Sequence, residues 1–168
     1  MISLFVSLPE PSLLNKNSLK YLLIGAFISI FILFSSNALS SYSLTDVQVF
    51  RNSLSDIVNK SKNLTMSFQE KVPALNVESS NSSRIEMIDL FLPNFETLLK
   101  NATNIDYPSD LKSVRDALVN SLKFETDSYR HYRSYLISGN RTEDSISTDL
   151  LTKAFQNEQI YAKFLASQ

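Results

Sequence analysis

Glycine is nearly missing from this chain: there are two among 168 residues, Gly25 and Gly139. A backbone that turns often through positive φ relies on glycine, because only glycine enters that region without a steric cost. Sheet folds with many tight turns are therefore disfavoured, and long helices with few connections are favoured. The spacing of the apolar residues points the same way. Val47, Phe50, Leu54, Ile57, Ser61, Leu64 and Phe68 alternate intervals of three and four. That spacing predicts one amphipathic helix from about Leu44 to Lys71. Thr45 or Ser43 is expected to cap it, Asp46 suits the positive end of its dipole, and Pro73 stops it.

A polar linker ends in Ser79-Ser80-Asn81-Ser82-Ser83, where Ser83 and Glu86 have capping-box spacing. The helix it opens carries Ile85, Ile88, Leu92, Phe95 and Leu99. Pro93 falls inside this helix and removes a backbone donor, so a kink or short break is expected there. After a turn at 104–108, Pro108 is expected at the first position of a third helix reaching Ser138. Its stripe is Leu111, Val114, Leu118, Leu122, Glu125, Tyr129, Tyr132 and Leu136, and Gly139 closes it. Thr142 is expected to cap a fourth helix striped with Ile146, Leu150, Ala154, Tyr161 and Phe164 or Leu165. The expected fold class is all-α, with an antiparallel four-helix bundle over residues 41–168 whose last two helices form a tight αα-hairpin.

Ahead of this domain lies one uncharged apolar run, Tyr21 to Phe34 (YLLIGAFISIFILF), with Lys16 and Lys20 just before it. As a helix the run spans about 21 Å, against roughly 30 Å of bilayer core, and extending it through Leu39 reaches about 28 Å. Residues 21–40 are read as a transmembrane helix or signal-anchor, with 1–20 as a short cytoplasmic tail. The alternative is a signal peptide cut near Ser36-Asn37-Ala38 or Ala38-Leu39-Ser40. The twenty residues ahead of the run, which include Pro9, Glu10 and Pro11, favour the uncleaved anchor. No Lys or Arg occurs between Phe34 and Arg51, so the positive-inside bias puts the N-terminus in and residues 41–168 outside. The expected location is the cell membrane, single-pass, or the exterior as a secreted protein if the segment is cut.

Several function classes are disfavoured by composition. Cysteine is absent, which removes disulfide scaffolds, cysteine zinc sites and thiol nucleophiles. The chain carries 16 Lys+Arg against 17 Asp+Glu, and only Lys16, Lys20 and Glu10 precede the domain, leaving it at net −2. A nucleic-acid partner, which calls for a basic surface, is not expected. The chain has no Gly-x-Ser-x-Gly elbow and no glycine-rich phosphate loop. His131 is the one histidine, with Asp127 four residues earlier, and the pair reads as surface residues rather than metal ligands. No Glu-x-x-His motif of a bundle di-iron site occurs, since Ser128 stands three after Glu125. Neither a metal nor a cofactor is expected.

Five Asn-x-Ser/Thr sequons, at Asn59, Asn63, Asn81, Asn101 and Asn140, are candidate glycosylation acceptors if the domain is exported. The densest polar-aromatic stretch runs from Tyr129 to Tyr135. Tyr129 and Tyr132 fall on the inward stripe. Arg130 and Arg133 share another face and are candidate contacts for an anionic ligand. Glu125 interrupts its stripe and is expected to rotate to the bundle edge, while Ser61 and Asn157 are polar interruptions of the register. The functional expectation is a non-catalytic interaction or ligand-sensing module displayed outside the cell, with a protein partner there. The alternatives are a structural envelope component or accessory subunit of a membrane complex, or a secreted helical protein.

Overall fold

The computed structural model describes residues 44–71 and 80–167, so the run at 21–40 and Pro73 of the linker lie outside the described residues. Every described element is helical: α1 (Leu44–Lys71), α2 (Asn81–Thr103), a 3₁₀ turn (Ser109–Leu111), α3 (Lys112–Ser138) and α4 (Arg141–Ala166). No described helix is long and apolar enough to cross a membrane.

Side-chain pairs fix the helix directions. Arg115 reaches the Thr103 carbonyl, Arg130 reaches Glu96, Arg133 reaches Asp89 and Asn81 reaches the Leu136 carbonyl. As numbers climb along α3 they fall along α2, so the two are antiparallel. Ser128 with Ser147 and His131 with Glu143 give the same relation for α3 and α4. Thr65 with Glu125 and Phe68 with Tyr129 run in step, so α1 and α3 are parallel. Phe50 against Phe164 joins the beginning of α1 to the end of α4, and this end is called the lower end below. The helices thus run up, down, up and down.

The core falls into two clusters. The lower one gathers Phe50, Leu54, Ile57 and Val58 of α1 with Leu98, Ala102, Val114, Leu118, Leu122 and Tyr161. The upper one is aromatic, with Phe68 at 4.9 to 6.4 Å from the rings of Phe91, Phe95 and Tyr129. Burying one such side chain contributes about 1.5 to 3 kcal/mol. An exposed ion pair such as Arg133–Asp89 is worth at most about 1 kcal/mol. The apolar interior therefore sets stability, and the α2–α3 ion pairs set register. α3 and α4 approach closely because they meet through small residues at seven-residue intervals: Ser121 and Ser128 on one, Ser147 and Ala154 on the other, all buried. Ser128 Oγ donates to the Ser147 carbonyl at 2.8 Å.

Local expectations hold or shift for identifiable reasons. The ends of α1 at Leu44 and Lys71 match, which places Thr45 inside the helix; Ser43 lies outside the described residues. α2 is capped by Ser80, not Ser83: Ser80 Oγ accepts the Ser83 amide hydrogen at 3.4 Å, and the serine-rich run lets the helix begin one turn earlier. The buried face of α2 is Ile88, Phe91, Phe95, Leu98 and Ala102, with Ile85, Leu92 and Leu99 half-buried beside it. The helix passes through Pro93 without a break, and Thr97 Oγ1 donates to the Pro93 carbonyl at 2.8 Å. Pro108 is extended (φ −62°, ψ 142°) just ahead of the 3₁₀ turn rather than in a first helical turn. Gly139 closes α3 at φ 69°, as expected, its amide donating to the Tyr135 carbonyl at 2.8 Å. Asn140, not Thr142, caps α4, its Oδ1 accepting the Thr142 amide hydrogen at 3.0 Å. A two-residue connection leaves the cap no later place.

Candidate functional site

Between the two apolar clusters the bundle carries a polar layer. Glu125 of α3 lies within it, not at the edge where the sequence pattern placed it. Its Oε1 accepts hydrogen bonds from Thr65 Oγ1 of α1 and from the Tyr129 hydroxyl, each at 3.0 Å. Two donors from two helices explain why the stripe tolerates a carboxylate: the buried oxygen is satisfied instead of turning to solvent. Burial still dominates and pushes the Glu125 carboxyl above the usual carboxylate range, while the two hydrogen bonds pull it back down.

Glu158 of α4 enters the same layer. Burial, and then the nearby Glu125 charge, push its carboxyl up to about 7. No hydrogen bond from a described residue reaches it, and both glutamates are half-buried. The tyrosines around them respond to the same environment. Burial raises Tyr129 well above its usual value, with Glu125 adding to the shift. Burial raises Tyr161 likewise, and the Glu158 charge adds to it. Glu158 escaped the sequence reading because it lies outside the stripe drawn through Ala154 and Tyr161. It is four residues after Ala154 and three before Tyr161, and that helical spacing was the signal available.

Arg130 and Arg133 have protein partners. Arg130 contacts Glu96 at 2.7 Å and Asp127 at 2.6 Å, and Arg133 holds Asp89 through Nε and Nη2 at 2.6 and 2.9 Å. The bonds to Glu96 and Asp89 clamp α3 to α2. His131 does not pair with Asp127: its Nδ1 lies 2.7 Å from Glu143 Oε2 across the α3–α4 hairpin, whereas Asp127 takes Lys123 and Arg130. Among the described residues, no group of three or more His, Cys, Asp or Glu gathers as a metal site.

All five sequon asparagines are exposed. Asn59, Asn63 and Asn101 lie within helices, and Asn81 opens α2 and donates to the Leu136 carbonyl at 3.1 Å. Asn140 is the α4 cap. Arg51, which the sequence marks only as the first cation after the apolar run, is 7% exposed at the lower end. Its guanidinium lies 4.6 Å over the Phe164 ring and donates to the Leu165 carbonyl at 3.3 Å. No protein-family model, curated protein or solved structure matches the chain.

Proposed function

We propose that the chain is a membrane-tethered, non-catalytic helical bundle that acts outside the cell as an interaction or ligand-sensing module. The observation that carries this reading is the uncharged run Tyr21–Phe34, with Lys16 and Lys20 before it and no further cation until Arg51. The run ends ten residues ahead of Leu44, so a tether there would feed almost directly into α1. The polar layer of the bundle supports a binding or sensing role. Its chemistry-bearing groups sit between helices in a layer that couples three of them, where a change at one helix is felt by the others.

The absence of cysteine makes topology simple to test. Single cysteines at Ser7 and Asn63 would be probed in intact cells with a membrane-impermeant maleimide. Asn63→Cys is expected to label in intact cells and Ser7→Cys only after lysis. Protection of Asn63→Cys until lysis would overturn the proposal. Recovery of the chain from the medium, starting near Leu39 or Ser41, would replace the tether with the secreted alternative.

A further inference from the structure

The lower end of the bundle holds the start of α1, the end of α4 and the turn between α2 and α3. Among the described residues, the large apolar side chains left exposed are Val49, Leu90, Tyr107, Ile137 and Ile160. Tyr107 stands in the lower turn itself, 37% exposed. Val49 follows Leu44 by five residues and Ile160 precedes Ala166 by six, so each sits within about 9 Å of a lower helix end. Ile137 lies at the opposite end, and Leu90 in the upper half of α2. Tyr107 is also backed from behind. The Arg115 guanidinium lies 5.3 Å from its ring centroid and donates to the Thr103 carbonyl and to Asp116. Arg115 Nε is buried with no hydrogen-bond partner among the described residues, so this placement gives up solvation that an outward-turned arginine would keep.

Charge at this end is close to balanced. Asp46, Asp106, Asp110 and Asp116 stand against Arg51, Lys100, Lys112, Arg115 and Lys163. No strong field would steer it to an oppositely charged partner. An exposed tyrosine with aliphatic side chains on nearly neutral ground suits a membrane interface, where a ring with a wet hydroxyl is favoured. Chain length allows that contact. If the apolar run extends to Leu39, four residues remain before Leu44, about 14 Å at full extension; if it ends at Phe34, nine remain, about 32 Å. The lower end is within reach in both cases, and the upper end is a further helix length away, about 42 Å for α1. We propose that the lower end docks on the headgroup layer of a bilayer, with Tyr107 as its anchor and Val49 and Ile160 at its rim. The docking rests on the tether reading above and adds a second membrane contact, made by the folded domain. It is an apolar contact and takes a zwitterionic surface.

The chain contains no tryptophan, so single-tryptophan variants report one site each. The full-length protein would be reconstituted in phosphatidylcholine vesicles with a nitroxide on some of the lipid headgroups. Tyr107→Trp is expected to emit at shorter wavelength than Ile137→Trp and to be quenched about twofold or more, as an aromatic at headgroup level should be, while Ile137→Trp is nearly unquenched. The quenching is expected to be the same at low and at high salt. Phe27→Trp, inside the apolar run, reports the tether separately through a nitroxide on the acyl chain. Quenching of Phe27→Trp without quenching of Tyr107→Trp leaves the tether standing and overturns the docking. Equal quenching of Tyr107→Trp and Ile137→Trp also overturns it, since the bundle would then lie along the surface. Loss of the Tyr107→Trp quenching at high salt overturns it too, by showing a charged contact. If Phe27→Trp escapes quenching, the tether reading fails and the docking fails with it.

Discussion

Ser128 and Ser147 meet with their hydroxyls 3.0 Å apart, and Ser128 Oγ donates to the Ser147 carbonyl, so a side chain of α3 touches the backbone of α4. Both residues are buried. Contact this close is available only to small side chains. Ser128→Leu is therefore expected to overpack the hairpin and destabilise the bundle by about 1 to 3 kcal/mol. Ser128→Ala gives up one hydrogen bond for about 1 kcal/mol. Urea melts of the two variants would show the order, and equal losses would mean that packing is not limiting there.

The Glu158 carboxyl, raised from 4.5 to about 7, gives stability a definite sign against pH. A folded state that binds the proton more tightly is favoured at low pH. Its contribution is complete below the unfolded value and is lost as pH rises through 7. The full shift corresponds to about 3 kcal/mol at most, and less in practice because the side chain is partly solvated. The urea midpoint is thus expected to fall between pH 5.5 and pH 8 in the wild type and to fall less in Glu158→Gln, where burial still raises Glu125. Asp89, Asp116 and Asp127, held low by their Arg and Lys partners, act in the opposite sense, but only below about pH 4. The two windows are separate.

Arg51 over Phe164 is a cation on an aromatic face where burial has removed most of its water. A double-mutant cycle of Arg51→Met and Phe164→Leu is expected to return a coupling of about 1 kcal/mol. Arg51→Lys should recover little of it, because the planar guanidinium both stacks and reaches the Leu165 carbonyl. A coupling near zero would make Arg51 a bystander.

Pro93 is exposed in the middle of a continuous helix. Its ring leaves the Asp89 carbonyl without its usual helical donor. Pro93→Ala restores that donor and is expected to raise the melting temperature, with a gain of about 1 to 2 kcal/mol. This is below the roughly 3 kcal/mol propensity difference, since proline also restrains the unfolded chain. A lower melting temperature would show that the proline shapes how α2 packs.

Much of the architecture could be read from spacing. Phe50, Leu54, Ile57, Ser61, Leu64 and Phe68 at intervals of three and four, together with a single glycine at the α3 terminus, define helices that have one place to bury their apolar faces. The details that escaped are those decided by competition between near-equals. Ser80 and Ser83 both offer a cap, as do Asn140 and Thr142, and the structure uses the earlier of each pair. Glu125 shows the limit most clearly. An isolated stripe shows a misplaced acid, and only the arrival of Thr65 from a helix 60 residues away makes its inward position tolerable. Glu158 was harder still, because its significance lies in a neighbour on another helix.

The contact of Phe50 with Phe164 brings the start of α1 and the end of α4 to the same end of the bundle. A mechanical load applied between those two points would not shear the helices along their length. It would unzip them, parting the Phe50–Phe164 contact first and then each contact above it in turn, at low force. A load between the start of α1 and the Gly139 hairpin would have to slide whole helices at once. The fold is therefore soft when its two ends are drawn apart and stiff when pulled from base to tip.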